Sequence, residues 1–428
     1  MTYHSPLPIA HSPKRPIAID LFAGCGGMSL GLEASGFDII AAVEIDPIHA
    51  LIHHLNFPHT KTICQDIRNL NTDILKNILQ EKGVKKDLDL VAGGPPCQGF
   101  SAMGKRQLDD PRNSLVFEYL RVIKHLKPKY FIFENVPGMT TGKHQQFLQE
   151  LINEFEKIDY QITKPVQIVD ASLFGAPQRR KRLILLGSRQ DVQPLNYPLE
   201  TEEFNDVASA IADLNSIPPF IGKNKGIEAE KLDYSGFRVN FALQPQGIYS
   251  LCHQRQTDKL IYNHIGSNHT EKSQNRFQHV SPGKIDQVSR FLKLSPTGLC
   301  NTLRAGTARD KGAYTAARPI HYQQPRCITV REAARLHTFP DWFLFHETIW
   351  HGFREIGNAV IPLLAKTVGD EIINLLQIDI NQIEVKKIDP PSKDLMTYNM
   401  EQASIYWKVS SDIIPKRKKM VLPISKIK

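Results

Sequence analysis

Short apolar runs alternate with helical patterns from about Arg15 to Ser188, and this alternation constrains the fold more than any other feature of the chain. Five runs have the length and the β-branched or aromatic content of strands. They are Ile17 to Phe22, Ile39 to Val43, Leu88 to Ala92, Tyr130 to Phe133 and Leu183 to Leu186. Apolar residues at helical spacing, such as Leu115, Tyr119 and Ile123, lie between these runs. The alternation predicts an α/β fold built on a parallel sheet.

The composition changes at about Gln190 and again at about Gln324. Between these points Gly, Pro, Asn, Gln and His dominate without a long helical pattern, which indicates a separate, irregular module. Helical patterns return at Val330 to Thr338 and near Pro362 to Leu376, so the first domain is predicted to be completed there. The predicted segments are an N-terminal extension (1–15), the first part of the main domain (16–189), the irregular module (190–325), the C-terminal return of the main domain (326–380) and a basic, partly disordered tail (381–428).

Composition excludes several classes of protein. The six cysteines are far apart and form no Cys-x-x-Cys pair, so neither a disulfide framework nor a metal site is predicted. No apolar run approaches the roughly twenty residues of a membrane span, and the start of the chain lacks a signal peptide's apolar core. We therefore expect a soluble, cytoplasmic protein. The net charge of +9 favours a polyanionic partner, although a solvated basic surface would give the same sum.

The segment Gly93 to Ser101, GGPPCQGFS, places Cys97 just after a predicted buried strand. Pro95 and Pro96 fix the backbone angle φ, so the thiol would be held in place. A loop of free N–H groups that leads into a helix lowers a thiol pKa and favours the reactive thiolate. A buried, inert cysteine is the alternative. The context makes Cys97 the best nucleophile candidate in the chain.

A glycine-rich turn, DLFAGCGG at Asp20 to Gly27, follows the first predicted strand. Gly24, Gly26 and Gly27 allow a tight turn and close approach of a ligand to the backbone. The next helix would point its N-terminus at that ligand. The turn alone is a weak signal, because dinucleotide, flavin and S-adenosylmethionine sites all use one.

Acidic residues follow the next two apolar stretches. Glu44 comes about twenty residues after the glycines, a spacing that suits hydrogen bonds to ribose hydroxyls. Asp66 and Ile67 lie where an adenine edge would be recognised. Either acid alone could be an ordinary surface charge. Their positions at successive strand ends predict a nucleoside pocket.

Two further motifs suit chemistry on an aromatic base. Glu134, in FENVPG, would share the carboxyl edge of the sheet with Cys97, and a carboxylic acid at N3 of a pyrimidine would neutralise the charge produced by thiolate addition at C6. The segment Gln178 to Arg182, QRRKR, precedes a strand, and alternation predicts that Arg180 and Arg182 point to one side, towards a base carbonyl or a phosphate. A salt bridge and a solvated basic face are the alternatives.

In order and spacing, these motifs resemble the DNA cytosine-5 methyltransferases, most closely the bacterial modification enzymes. The matching segments are DLFAGCGG, the strand ending at Glu44, GGPPCQGFS, FENVPG, QRRKR, REAARLHTFPD at Arg331 to Asp341 and GNAVIP at Gly357 to Pro362. The resemblance extends from Pro16 to about Leu376. It implies a Rossmann-like, mostly parallel sheet and a smaller target-recognition domain inserted before the C-terminal return.

The resemblance also implies roles for individual residues. Cys97 would be the nucleophile and Glu134 the acid at N3, with Arg182 at the cytosine O2 and Arg180 and Asn135 supporting the site. Residues predicted around S-adenosylmethionine are Phe22, Gly24, Gly26, Glu44, Asp66, Ile67, Gly94, Pro96, Leu115, Asn358 and Ala359. Residues predicted to contact DNA are Ser101, Arg304, Arg309, Lys311 and Arg318.

The implied activity is methyl transfer from S-adenosylmethionine to C5 of a cytosine flipped out of double-stranded DNA. The protein would be a monomeric modification enzyme, with a cognate restriction endonuclease acting separately. The alternatives are a tRNA cytosine-5 methyltransferase, a catalytically inactive DNA-binding relative and a nicotinamide-dependent oxidoreductase. The last leaves GGPPCQGFS and FENVPG unexplained, and an inactive relative would be expected to lose Cys97 or Glu134.

Overall fold

A central twisted sheet organises the molecule. The computed structural model describes residues 15–82, 87–96, 114–222, 224–228, 260–306, 318–380 and 391–414. Eight strands of this sheet are β1 (Ile17–Leu21), β2 (Asp38–Glu44), β3 (Lys61–Cys64), β4 (Leu90–Gly93), β5 (Tyr130–Asn135), β6 (Tyr160–Ile162), β7 (Gln167–Asp170) and β8 (Lys181–Arg189). Their order is β3-β2-β1-β4-β5-β8-β6, and β7 also pairs with β8.

Strands β1 to β5 pair in parallel, which confirms the predicted α/β fold with a mostly parallel sheet. The run Leu183 to Leu186 differs, because β8 is antiparallel to β5, β6 and β7. An antiparallel strand begins at the edge where its parallel neighbours end. The start of β8 therefore lies at the carboxyl edge of β1, β4 and β5.

Helices cover both faces of the sheet. Their bounds in the described residues are α1 (Gly27–Ser35), α2 (Pro47–Asn56), α3 (Asp73–Glu81), α4 (Ser114–Leu126), α5 (Lys143–Glu156), α6 (Val207–Ile211), α7 (Glu271–His279), α8 (Val330–Leu336), α9 (Ile349–Asn358), α10 (Pro362–Leu375) and α11 (Met400–Trp407). The alternating side chains of the strands pack into two apolar cores. Phe131 and Phe133 of β5 face one core, and Tyr130 and Ile132 face the other.

Helix α10 returns the chain to the first helix, α1, through very close packing. A Cβ on Gly31 would lie 2.2 Å from the Pro362 carbonyl oxygen, and a Cβ on Gly369 would lie 2.2 Å from Ser35 Oγ. Such distances leave room only for hydrogen at these positions, so the backbones of the two helices approach closely. The packing brings residues 357–360, just before α10, to the glycine turn that precedes α1.

In its described residues, the segment between β8 and α8 contains the antiparallel strand pair β9 (Ile227–Glu228) and β10 (Leu260–Ile261), helices α6 and α7, and few other regular elements. Helix α6 packs against α8 in a third apolar core. The Arg335 guanidinium of α8 donates to Asp213 on one side and to Asp341 on the other. This buried ion-pair network ties residues 207–216 to the chain after residue 325.

The predicted tail contains a folded segment that the sequence prediction missed. Residues 391–414 form a 3-10 turn (Lys393–Thr397) and helix α11, which packs on α2. Trp407 Nε1 donates to the Pro47 carbonyl at 3.1 Å, and the Glu347 amide donates to the Met396 carbonyl at 3.0 Å. The described chain therefore folds well beyond residue 380. None of the described helices combines the length and apolar character needed to cross a bilayer.

Candidate active site and cofactor pocket

Three of the predicted site residues, Glu44, Glu134 and Arg182, lie at the carboxyl edge of the parallel strands. Strand β2 ends at Glu44, β5 carries Glu134 next to its last residue, and β8 begins beside them with Arg182 as its second residue. Open α/β sheets bind ligands at this edge.

The glycine turn and Glu44 are joined directly. The Gly24 amide donates to Glu44 Oε2 at 2.8 Å, and the Asp46 amide donates to Glu44 Oε1 at 2.8 Å. Burial raises the pKa of Glu44 to about 7, against the opposing effect of these amides. A Cβ at Gly24 would meet no atom within 4 Å, so there is open space above the turn. A carboxylate beside such a space fits a ribose.

Asp46 and Arg354 support Glu44 and were missed as site residues. Asp46 caps α2 by accepting the Ile48 amide, and Arg354 Nη1 donates to its other oxygen at 2.5 Å. Burial disfavours the Asp46 carboxylate, but His49 and Arg354 outweigh it and hold the pKa at about 2. The pair links the end of β2 to α9. An acid followed by Pro47 is a helix-start signal that could have identified the cap.

An apolar wall stands beside the glycine turn. Phe22 and Leu115 are partly buried and pack against the core cluster that contains Ile67. Phe22 has a left-handed backbone with φ of 60°, an uncommon conformation that costs energy and is concentrated at ligand sites. Asp66 caps the 3-10 turn after β3 and pairs with Arg68. Phe22, Ile67 and Leu115 therefore share one apolar cluster, and Asp66 directly precedes Ile67.

The first turn of α1 meets the loop before α10. Gly26, with φ of 103°, precedes α1, and a Cβ on Gly27 would lie 2.3 Å from the Val360 carbonyl oxygen and 3.0 Å from Ala359 Cβ. Asn358, between buried Gly357 and Ala359, is exposed. The loop thus lies against the N-terminus of α1, and Asn358 faces away from the protein interior.

The chain that leads towards Cys97 passes over Glu134. A Cβ on Gly94 would lie 2.9 Å from Glu134 Oε2, so a side chain at this position would displace the Glu134 carboxyl group. Asn135 is buried, and its Nδ2 donates to the Pro95 carbonyl at 3.1 Å. Pro96 is exposed at the end of the described segment. Residues 97–113, with Cys97 and Ser101, lie outside the described residues, as do Arg309 and Lys311.

Glu134 and Arg182 form an ion pair at the end of β5 and the start of β8. Arg182 Nε lies 2.7 Å from Glu134 Oε1, and both side chains are mostly buried. Two groups that can hydrogen-bond a base therefore sit together. The antiparallel direction of β8 makes this possible, because its first residues lie opposite the last residues of β5.

Arg180 has different partners from Arg182. Its guanidinium is buried and donates to three main-chain carbonyls, those of Leu303, Gly357 and Ala359, at 2.9 to 3.0 Å. It does not point to open space as a base or phosphate contact would. The structure assigns Arg180 a positioning role.

The two described residues that are predicted to contact DNA, Arg304 and Arg318, differ in exposure. Arg304 is exposed next to buried Leu303. Arg318, by contrast, is 7% exposed, lies 4.9 Å over the Phe353 ring and donates to Ser267 Oγ. The Arg318 guanidinium is therefore used for internal packing in this structure, and its contact with DNA stays a prediction.

The site therefore contains the acid Glu134 and the cation Arg182, with Gly94 against the acid. The open space at Gly24 beside the Glu44 carboxylate suits a nucleoside. In the described part of the chain, no group of three His, Cys, Asp or Glu side chains is arranged to hold a metal ion. Cys25, Cys64, Cys300 and Cys327 are buried and free. Burial raises the pKa of each of these thiols, so none of the four is an activated nucleophile.

The chain is similar over most of its length to known proteins of one family. The family model for C-5 cytosine-specific DNA methylase matches residues 17–374. The Type II methyltransferase M.XorII of Xanthomonas oryzae pv. oryzae is 45% identical over 95% of this chain and 96% of its own length. The Type II methyltransferase M.DdeI of Desulfomicrobium norvegicum is 31% identical over 86% of this chain and 92% of its own.

Solved structures show the same fold. A DNA modification methyltransferase encoded within an E. coli prophage superposes with a TM-score of 0.72 and 33% identity, covering 85% of this chain and 99% of the other. The Dnmt2 methyltransferase of S. pombe superposes with a TM-score of 0.52 over the same shares at 20% identity, which supports the fold alone.

Proposed function

Because the chain belongs to the C-5 cytosine-specific DNA methylases, we propose that it methylates cytosine at C5 in a specific double-stranded DNA sequence, with Cys97 as nucleophile and S-adenosylmethionine as donor. The observation that carries the proposal is the ion pair of Glu134 and Arg182 beneath the Gly94 to Pro96 turn. An acid and a cation therefore lie next to Gly94, which is three residues before Cys97 in the sequence.

The cofactor pocket fits S-adenosylmethionine. The open space at Gly24, the carboxylate of Glu44 and the wall of Phe22, Ile67 and Leu115 suit a nucleoside with free ribose hydroxyls. Asn358 would contact the cofactor from the C-terminal return. Bound S-adenosylmethionine supplies the electrophilic methyl group that the activated C5 accepts.

The residues of the chain activate a base that is otherwise a poor nucleophile. The Cys97 thiolate adds to C6, and the electron pair of the C5–C6 double bond becomes available at C5. Glu134 shares a proton with N3, which limits the negative charge on the ring. Arg182 holds Glu134 in place and would donate to O2 of the base. After methyl transfer a base takes the proton from C5, the double bond reforms and the thiolate leaves.

Asn135 and Arg180 would act through other groups. Asn135 fixes the Pro95 carbonyl and therefore the entry to the Cys97 loop.

The target base must leave the helical stack to reach Cys97, because C6 is inaccessible inside a duplex. The loop with Ser101 is proposed to close over the flipped base.

Sequence recognition is assigned to residues 190–325, between the two parts of the catalytic domain at 16–189 and 326–380. Arg304, Arg309 and Lys311 are proposed phosphate or groove contacts. The enzyme is proposed to work as a cytoplasmic monomer, with a restriction endonuclease of the same specificity acting separately. The similarity to two Type II methyltransferases favours this DNA activity over methylation of tRNA.

Bisulfite sequencing of plasmid DNA from cells that express the chain tests the proposal. We expect cytosines in one sequence context to resist conversion by bisulfite, and no resistant cytosines in cells that express Cys97→Ala. Protection in tRNA with unmodified plasmid DNA would contradict the proposed substrate.

A further inference from the structure

Two side chains of the QRRKR segment, Gln178 and Arg180, hold a cofactor-side loop and a DNA-side segment at the same time. The cofactor-side loop is Gly357 to Ala359, which brackets Asn358. The DNA-side segment is Leu303 to Ala305, which carries exposed Arg304. We infer that Gln178, Arg180 and His337 form a positioning junction through which cofactor binding and DNA binding strengthen each other. The inference rests on the proposed function and deepens it.

Arg180 provides the first connection. Its Nη2 donates to the carbonyls of Gly357 at 2.9 Å and Ala359 at 3.0 Å, so the main chain is held on both sides of Asn358. Its Nη1 donates to the Leu303 carbonyl at 2.9 Å. One rigid guanidinium therefore sets the distance between the two segments.

Gln178 and His337 provide the second connection. His337 Nε2 lies 3.1 Å from the Ala359 carbonyl, which can only accept, so the ring proton is on Nε2. Burial, followed by the charge of Arg180, lowers the pKa of His337 well below its usual value and keeps the ring neutral. His337 Nδ1 must then accept from Gln178 Nε2 at 3.1 Å. The Gln178 carbonyl oxygen is left to accept the Leu303 amide, also at 3.1 Å.

The two segments also touch directly. A Cβ on Gly357 would lie 2.3 Å from the Ala305 nitrogen and 2.4 Å from the Arg304 carbonyl carbon. Neither segment has room to move towards the other. A ligand that fixes Asn358 therefore also restricts Arg304, and DNA held by Arg304 restricts the cofactor-side loop. Coupling between two binding sites is reciprocal, so each ligand should raise the affinity for the other by the same factor.

The test measures that factor with the full-length protein and S-adenosylhomocysteine, which cannot react. The dissociation constant of a duplex carrying the site found by bisulfite sequencing is measured with and without saturating S-adenosylhomocysteine. For the wild type we expect a ratio in the range of about 5 to 150. Arg180→Lys offers a single compact ammonium in place of the fork and should bring the ratio to within about twofold of one.

Arg189→Lys is the matched control. Arg189 is the last residue of β8, which begins one residue after Arg180, and its guanidinium also donates to a main-chain carbonyl, that of Lys127, and to Asp87 and Asp191. This variant should keep the wild-type ratio. If circular dichroism shows that Arg180→Lys does not fold, Gly357→Ala is the second test variant. It forces the cofactor-side loop and the DNA-side segment apart without replacing Gln178, Arg180 or His337.

A purely structural role would lower the melting temperature, or weaken both ligands equally, without changing the ratio. An unchanged ratio in folded Arg180→Lys, or a wild-type ratio of one, would overturn the junction while methylation of plasmid DNA continued to support the proposed function. Loss of methylation in the wild type itself would overturn both.

Discussion

Arg182 Nε and Glu134 Oε1 lie 2.7 Å apart, although the two residues come from strands that run in opposite directions. The contact exists because β8 starts where β5 ends. A cation is thereby held against the acid that the chemistry requires, in a largely buried setting where charge–charge interactions are stronger than in water. The pair defines one wall of the proposed base pocket.

Arg182→Lys should lower kcat on DNA by about 10²-fold to 10³-fold, the range for loss of one preorganised donor in an active site. Lysine keeps the charge but lacks the planar fork that can hold Glu134 and reach O2 together. Steady-state methylation kinetics at saturating DNA and S-adenosylmethionine measure kcat. Lys181→Ala, at the exposed neighbouring position, is the control and should keep wild-type kcat. Wild-type kcat in Arg182→Lys would remove the ion pair from the mechanism.

Glu44 should make cofactor binding dependent on pH. Its pKa in the folded protein is about 7, because burial favours the protonated acid. Ribose hydroxyls are better bound by the carboxylate, so affinity should rise by up to about tenfold per pH unit below 7 and level off above it. Calorimetric titrations at pH 6 to 8 measure this. Glu44→Gln should have a flatter profile, and Glu44→Ala should weaken binding by about 1.5–3 kcal/mol.

The same raised pKa affects stability in the opposite direction. Below about pH 4.5 Glu44 is protonated in both the folded and the unfolded states. As the pH rises from there to about 7, the unfolded state loses its proton first, so the folded protein without cofactor loses stability from this group. Glu44→Gln should remove this part of the pH dependence in urea unfolding. A wild-type profile in the variant would show that Glu44 is not the responsible group.

Exchange of residues 190–325 for the equivalent region of a relative should transfer the recognised sequence and keep the chemistry at Cys97. Bisulfite sequencing of cells that express the hybrid gives the site directly. A hybrid that methylates the original site would place recognition elsewhere in the chain.

Arg304→Ala should weaken binding to all DNA sequences by similar factors and reduce the slope of log K against log salt concentration by about 0.9, the value for one lost phosphate contact. Fluorescence anisotropy at several salt concentrations measures both effects. Arg318→Ala should leave the slope unchanged, because Arg318 is packed over Phe353. Loss of binding to only one sequence would instead make Arg304 a base contact.

The carboxyl-edge geometry could be predicted from the sequence because strand ends carry the functional motifs in a parallel sheet. The direction of β8 could not be predicted, because a short apolar run does not indicate whether its strand is parallel or antiparallel to its neighbours. The local sequence pattern also could not predict that Arg180 and Arg182 have different partners. Arg180 reaches Leu303 and Gly357, 123 and 177 residues away, and only tertiary packing brings them together. The folded segment at 391–414 was missed because the basic run that follows it, Lys416 to Lys419, indicated a solvated tail.

The covalent step at Cys97 is the central claim, and a DNA duplex with 5-fluorocytosine at the target tests it most directly. Thiolate addition and methyl transfer should both proceed, but fluorine at C5 cannot be removed as a proton, so the thiolate cannot leave. Denaturing electrophoresis should show a protein–DNA band that requires S-adenosylmethionine, forms slowly with Glu134→Gln and is absent with Cys97→Ala. A band with Cys97→Ala, or none with a wild-type enzyme that methylates ordinary DNA, would contradict the account.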